Sequence, residues 1–186
     1  MASIAFLGWG SLVWDPRELP HYGPWKVSGP VLPLELSRVS SDCRLTLVID
    51  AITGEHCPTR YVLSPRTDLV DAIEDLRCRE GTVRKHIGYF DKRSNLSSLV
   101  EFPRQVDIIN IVRQWCTDQP FDAVVWTALP SNFSEETGAK YSPDAAIDYL
   151  RALAKTSQKN ALKYIRNAPE EIDTPVRQRV TQEWPS

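Results

Sequence analysis

The sequence predicts an α+β protein, with short strands filling its first half and helices its last third. Two patterns carry this prediction. Leu32, Leu34 and Leu36, then Leu45, Leu47 and Ile49, alternate with the period of two of a half-buried strand. Ser142-Pro143-Asp144, by contrast, is a helix opening, with a capping hydroxyl and proline at the first helical position. Strands followed by helices describe an α+β protein rather than an alternating parallel sheet. No internal repeat, low-complexity tract or long linker interrupts the chain. One domain over residues 1–186 is therefore expected, with residues 142–186 as a helical C-terminal extension.

Taken in order, Ile4-Ala5-Phe6-Leu7 is an apolar run ending in Gly8 and Gly10, which reads as a buried strand entering a tight loop. Pro16 to Pro30 reads as an irregular connection. Strands are predicted over Val31–Val39, Leu45–Ile49 and Arg60–Leu63, with a turn from Asp50 to Pro58. After Ser64-Pro65-Arg66-Thr67-Asp68 comes a helix with Leu69, Val70, Ile73 and Leu76 on one face. Asp68, Asp71 and Glu74 suit its N-terminal dipole, and Gly81 is a natural stop. A short strand over His86–Phe90 precedes a polar loop from Asp91 to Ser98. Val106, Ile109, Val112 and Trp115 recur every three residues and predict a helix. Phe121–Leu129 is a buried strand. The C-terminal stripes are Ala146, Ile147, Leu150, Leu153 and Ala154; then Leu162 and Ile165; then Ile172, Val176, Val180 and Trp184. Such stripes form core or partner contacts, so a homo-oligomer joined through the C-terminal helices is one expectation.

Composition narrows the function classes. Hydrophobic residues at 42% and charged residues at 25% are ordinary for a globular protein. A formal net charge of -2 leaves no basic excess for a nucleic acid or an anionic membrane surface, so neither is expected as a partner. The N-terminus lacks the pattern of a signal peptide and no apolar run spans a bilayer, which makes a cytoplasmic location the expectation. Cys43, Cys57, Cys78 and Cys116 are scattered without a C-x-x-C pair and read as reduced thiols. His21, His56 and His86 lack metal-site spacing, so no metal and no cofactor are expected.

Two stretches have chemical potential. In Gly8-Trp9-Gly10-Ser11-Leu12-Val13-Trp14-Asp15-Pro16, successive main-chain N–H groups can converge on an anion, with a serine hydroxyl and two indoles alongside. The alternative is a plain strand-to-turn junction with Trp9 and Trp14 in the core. In Leu76-Arg77-Cys78-Arg79-Glu80-Gly81, Glu80 stands at the negative end of its helix dipole, against electrostatic preference. It is either a surface charge paired with Arg77, Arg79 or Arg84, or a carboxylate poised as a base.

Together, in this order and at this separation, the two stretches resemble the gamma-glutamylcyclotransferase-like superfamily. Gly8 to Pro16 is similar to its Y-G-S-L loop, closest to the ChaC-type branch, in which the loop continues into an I-W-x-P element. Leu76 to Gly81 is similar to its leucine-bearing helix ending in a catalytic glutamate. The resemblance covers about residues 4 to 90. Trp9 stands where the family has tyrosine, and residues 92–120 have no family counterpart. The resemblance implies a small mixed β-barrel with flanking helices, and an activity that cyclises a gamma-glutamyl group to 5-oxoproline, releasing an amine, amino acid or dipeptide without any cofactor. It casts Glu80 as general acid/base, and Trp9, Gly10, Ser11 and Leu12 as substrate-binding residues. Tyr89 is the nearest match to the aromatic hydroxyl that follows the glutamate in relatives. The alternative is a non-catalytic small-molecule-binding or interaction protein on the same fold.

Overall fold

A computed structural model describes residues 2–99 and 103–185. The chain groups into two compact units, each discontinuous in sequence: Met1–Leu32 with Pro58–Leu129, and Pro33–Cys57 with Pro130–Ser186.

The first unit is a six-stranded mixed sheet, ordered β2-β6-β1-β9-β7-β8. Its strands are β1 (Ile4–Gly8), β2 (Tyr22–Lys26), β6 (Arg60–Leu63), β7 (Ile87–Asp91), β8 (Leu96–Ser97) and β9 (Ala123–Thr127). Central β1 runs parallel to β9, with Phe6 opposite Val125, and antiparallel to β6, with Phe6 opposite Val62. All five residues of β1 are buried, which explains its unbroken apolar sequence. One sheet face carries Ile4, Phe6, Val62, Ile87, Ala123 and Val125. It packs on Ala72, Ile73 and Leu76 of helix α2 (Leu69–Glu80). α2 starts where the Asp68 side chain accepts the Val70 N–H, and it ends at Gly81, whose φ of 61° only glycine adopts without strain. Val70, placed by periodicity on the buried face, is 57% exposed, and Arg79 takes a buried position instead. Around the other sheet face, helix α3 (Pro103–Thr117) contributes Trp115, whose ring meets Tyr61 and Phe121 with centroids 5.6 and 5.4 Å away.

Two strands here lie in stretches read as irregular. β2 is an edge strand paired with β6 across a register shift, and contains Gly23 and Pro24. Neither its residues nor their spacing signal a strand, because an edge position tolerates both breakers. β8 is a two-residue strand inside the expected polar loop.

The second unit is a three-stranded sheet, β4-β3-β5, with four helices. Strands β3 (Val31–Val39) and β4 (Leu45–Ile49) have the predicted bounds, and β5 (Glu55–Pro58) occupies the end of the expected turn. The register of β3 on β4 slips by one residue between Glu35 and Arg38, a bulge that turns side chains out of simple alternation. The helices are α4 (Phe133–Thr137), α5 (Pro143–Ala152), α6 (Lys155–Asn167) and α7 (Pro175–Glu183). Ser142 caps α5 by accepting the Ala145 N–H, and Thr174 does the same for α7, where Pro175 is the first residue. Residues 142–186 thus build one unit with β3, β4 and β5. The Arg177 guanidinium closes the turn before α7 by donating to the Ala168 and Ile172 carbonyls at 2.7 and 2.6 Å.

The expected β-barrel gives way to two open sheets among the described residues. β3 and β4 pair with β5 instead of extending the β1-centred sheet, so their hydrogen bonds do not close a cylinder. No helix among the described residues is long and apolar enough to cross a membrane.

Gly88 offers a direct test of sheet packing. Trp126, its cross-strand partner, is fully buried and lies over it, so a Cβ there would sit 2.2 Å from the indole. Gly88→Ala is expected to destabilise the protein by roughly 1–3 kcal/mol, as overpacking typically does, read from the urea unfolding midpoint.

Candidate functional site

The parallel pairing of β1 and β9 brings their carboxyl ends to one edge of the first unit's sheet. From β1 the chain turns at Trp9 and Gly10 into the single-turn helix α1 (Ser11–Trp14). The C-terminal end of α2 meets the same edge, because its buried positions Ala72, Ile73, Leu76 and Arg79 follow helical spacing along the sheet. Ser11 and Glu80, 69 positions apart in the chain, thereby meet one shared partner.

That partner is Arg79. Its Nη1 donates to Glu80 Oε1 at 2.8 Å, and its Nη2 donates to the Asp15 carbonyl at 2.6 Å and to Ser11 Oγ at 3.3 Å. The side chains of Arg79 and Glu80 are 4% and 13% exposed, so the ion pair is nearly dry. Thr127, at the end of β9, donates its hydroxyl to the same Glu80 oxygen at 3.1 Å. Arg79 Nε is buried and has no hydrogen-bond partner among the described residues. Glu80 is therefore not the solvated surface charge of the simpler reading. Arg77, another candidate partner, instead bonds Glu74 at 2.6 Å.

The other expected site residues divide. Leu12 joins the core against α2, and Trp9 is buried beside it in the chain. Gly10 is buried and its carbonyl accepts the Val13 N–H, while Ser11 and Leu12, in the first turn of α1, have N–H groups without intrahelical acceptors. Tyr89 is elsewhere. It lines a recess of about 360 Å3 with Ile73, Arg84, Lys85, Ile87, Ser98 and Leu99, and Glu80 is not part of that lining. Ile73 lies seven residues before Glu80, which is about 10 Å along a helix axis. Arg79 is one of the three arginines expected to pair with Glu80, though its link to Ser11 was not anticipated, and neither was Thr127. Arg79 was legible as the residue three beyond Leu76 on the buried stripe, whereas nothing in the run Phe121–Leu129 singles out Thr127.

Among the described residues no group of three or more His, Cys, Asp or Glu is placed to hold a metal ion. Comparison with family models, curated proteins and solved structures found no match to this chain.

A nearly dry ion pair gains its stability only when both partners are present, since a lone buried charge has lost its water without compensation. Arg79→Met is expected to cost about 3–5 kcal/mol. Adding Glu80→Gln to it is expected to recover part of that loss, a coupling measured by a double-mutant cycle of urea denaturation.

Proposed function

We propose that the chain is a gamma-glutamylcyclotransferase-like enzyme, on the fold of that superfamily, that cyclises a gamma-glutamyl group to 5-oxoproline with Glu80 as general acid/base. The observation that carries this reading is the shared partner of the two motifs: Arg79 bonds both the Glu80 carboxylate and the Ser11 hydroxyl of the opening loop. It puts the acidic residue and the loop's main-chain donors at one edge of one unit.

The chemistry asks little else of the protein. A gamma-glutamyl substrate presents its α-ammonium to Glu80 Oε2, which takes a proton. The freed amine attacks the γ-carbonyl carbon of the same molecule, forming the ring C–N bond. Negative charge develops on the carbonyl oxygen, where the N–H groups of Ser11 and Leu12 can stabilise it. The ring nitrogen gives up its second proton to solvent, the bond to the leaving nitrogen breaks, and Glu80 returns its proton to that nitrogen. Much of the acceleration rests on holding the substrate folded for an intramolecular attack.

The same ion pair favours a second reading, in which Arg79 and Glu80 form a strut and the loop binds a small molecule without converting it. Incubation with a panel of gamma-glutamyl amino acids, gamma-glutamyl amines and glutathione, read out as 5-oxoproline, separates the two. Product is expected from at least one compound. Glu80→Gln is expected to slow its formation by roughly 10²–10⁴-fold while the protein still folds. Product from none of them, or wild-type rates in Glu80→Gln, removes the enzyme; saturable binding without product leaves the second reading.

A further inference from the structure

The recess beside Tyr89 is a feature of the first unit that the Arg79–Glu80 site does not use. It holds about 360 Å3, and three segments wall it: Ile73 from α2, Ile87 and Tyr89 from β7, and Ser98 and Leu99 from the chain after β8. Arg84 and Lys85 complete the lining from the short 3₁₀ turn Arg84–His86 that leads into β7. Ile87 and Tyr89 are two apart on one strand, so both stand on the sheet face that α2 covers. Ile73 and Ile87 belong to the buried core on that face, and Tyr89 packs against it. The recess therefore reaches down to the core.

Its walls are tied by hydrogen bonds. Ser98 Oγ accepts the Tyr89 N–H at 2.8 Å, and the Ser98 N–H donates to the Tyr89 carbonyl at 3.0 Å. In the turn, the His86 N–H donates to the Val83 carbonyl at 2.9 Å, and the His86 ring bonds the Thr82 hydroxyl at 2.8 Å. The Ala128 N–H, just past β9, donates to the His86 carbonyl at 2.7 Å. A site whose walls are fixed before a ligand arrives loses little in ordering them.

Its charge is one-sided. Arg84 and Lys85 are adjacent and exposed, and no acidic side chain lines the recess. Glu74, which feels the Arg84 charge, is committed to the Arg77 guanidinium at 2.6 Å. Two neighbouring cations beside an apolar floor attract an anion, and a planar guanidinium matches a carboxylate head. A bare inorganic anion would leave the floor wet. One turn of α-helix, about 10 Å across and about 5.4 Å long, would already overfill the space. The occupant is therefore a small molecule, apolar along its body and anionic at one end.

We propose that this recess binds a small amphiphilic carboxylate, its apolar body on Ile73, Ile87, Tyr89 and Leu99 and its head group at the Arg84 and Lys85 side chains. Glu80 is not part of the lining, so the proposal stands apart from the cyclotransferase reading.

The test follows amide chemical shifts of the full chain during titration with hydrocinnamate, with its neutral amide hydrocinnamide, and with inorganic phosphate. Hydrocinnamate is expected to give saturable shifts at the Ile87, Tyr89 and Ser98 amides. Hydrocinnamide is expected to bind on the order of tenfold more weakly, and phosphate not to saturate these amides. The double variant Arg84→Ser, Lys85→Ser is expected to lower the affinity for the acid to that for the amide. Leu99→Ser, at a partly exposed position, is expected to weaken both ligands alike. Glu80→Gln is expected to bind hydrocinnamate as the wild type does, whatever the 5-oxoproline assay shows. No saturation by hydrocinnamate, equal affinity for acid and amide, or unchanged affinity in the double variant overturns the proposal. Saturation of the same amides by phosphate overturns it as well, and so does loss of binding in Glu80→Gln, which places the acid at the Arg79–Glu80 site.

Discussion

The first unit depends on a buried ion pair. Arg79 and Glu80 are consecutive in sequence, yet their side chains meet at 2.8 Å with almost no water around them. Such a pair repays its lost hydration best where further donors are used, and Arg79 turns its Nη2 to the opening loop, at Ser11 and at the Asp15 carbonyl. The end of α2 is thus tied to the end of β1. The tie needs Gly81 directly after it, so that the chain can leave the helix in a left-handed turn without dragging Glu80 away.

The sheet beneath supplies the place for that tie. Because β1 and β9 are parallel, both strands finish at the same edge, and each contributes something there: β1 the glycine-flanked loop, β9 the Thr127 hydroxyl. Crevices outside the carboxyl ends of parallel strands are common ligand sites, since loops converge there without disturbing the core. The aromatic residues serve a different end. Trp126 packs down onto Gly88, while Tyr61, Trp115 and Phe121 cluster together, so these rings stabilise the sheet rather than wall a pocket.

The second unit follows another logic. Its helices are held by their own local chemistry, the Ser142 and Thr174 caps and the Arg177 clamp on the turn before α7. Its sheet, however, carries a one-residue bulge at the point where Glu35 and Ser37 are buried. Bulges redirect side chains at a cost in ladder hydrogen bonds, and here the redirected side chains are polar and fully buried. In sequence, Glu35 looks like the solvent-facing member of an alternating strand.

What the sequence determined by itself was local. The period of two in β3 and β4, the capping signature at Ser142, the glycine stop at Gly81 and the position of Glu80 on the last turn of α2 all depend on residues within a few positions of one another. Backbone sterics and short-range hydrogen bonds decide those features before any tertiary contact forms. Only the tertiary structure decided that the strands form two open sheets rather than a barrel, and that β2 joins an edge despite Gly23 and Pro24. It also decided that Arg79 turns inward to link Glu80 with Ser11. These outcomes rest on pairings between distant segments, where a hydrogen-bonding edge or a buried charge selects its partner from the whole chain, and no short stretch of residues encodes that choice.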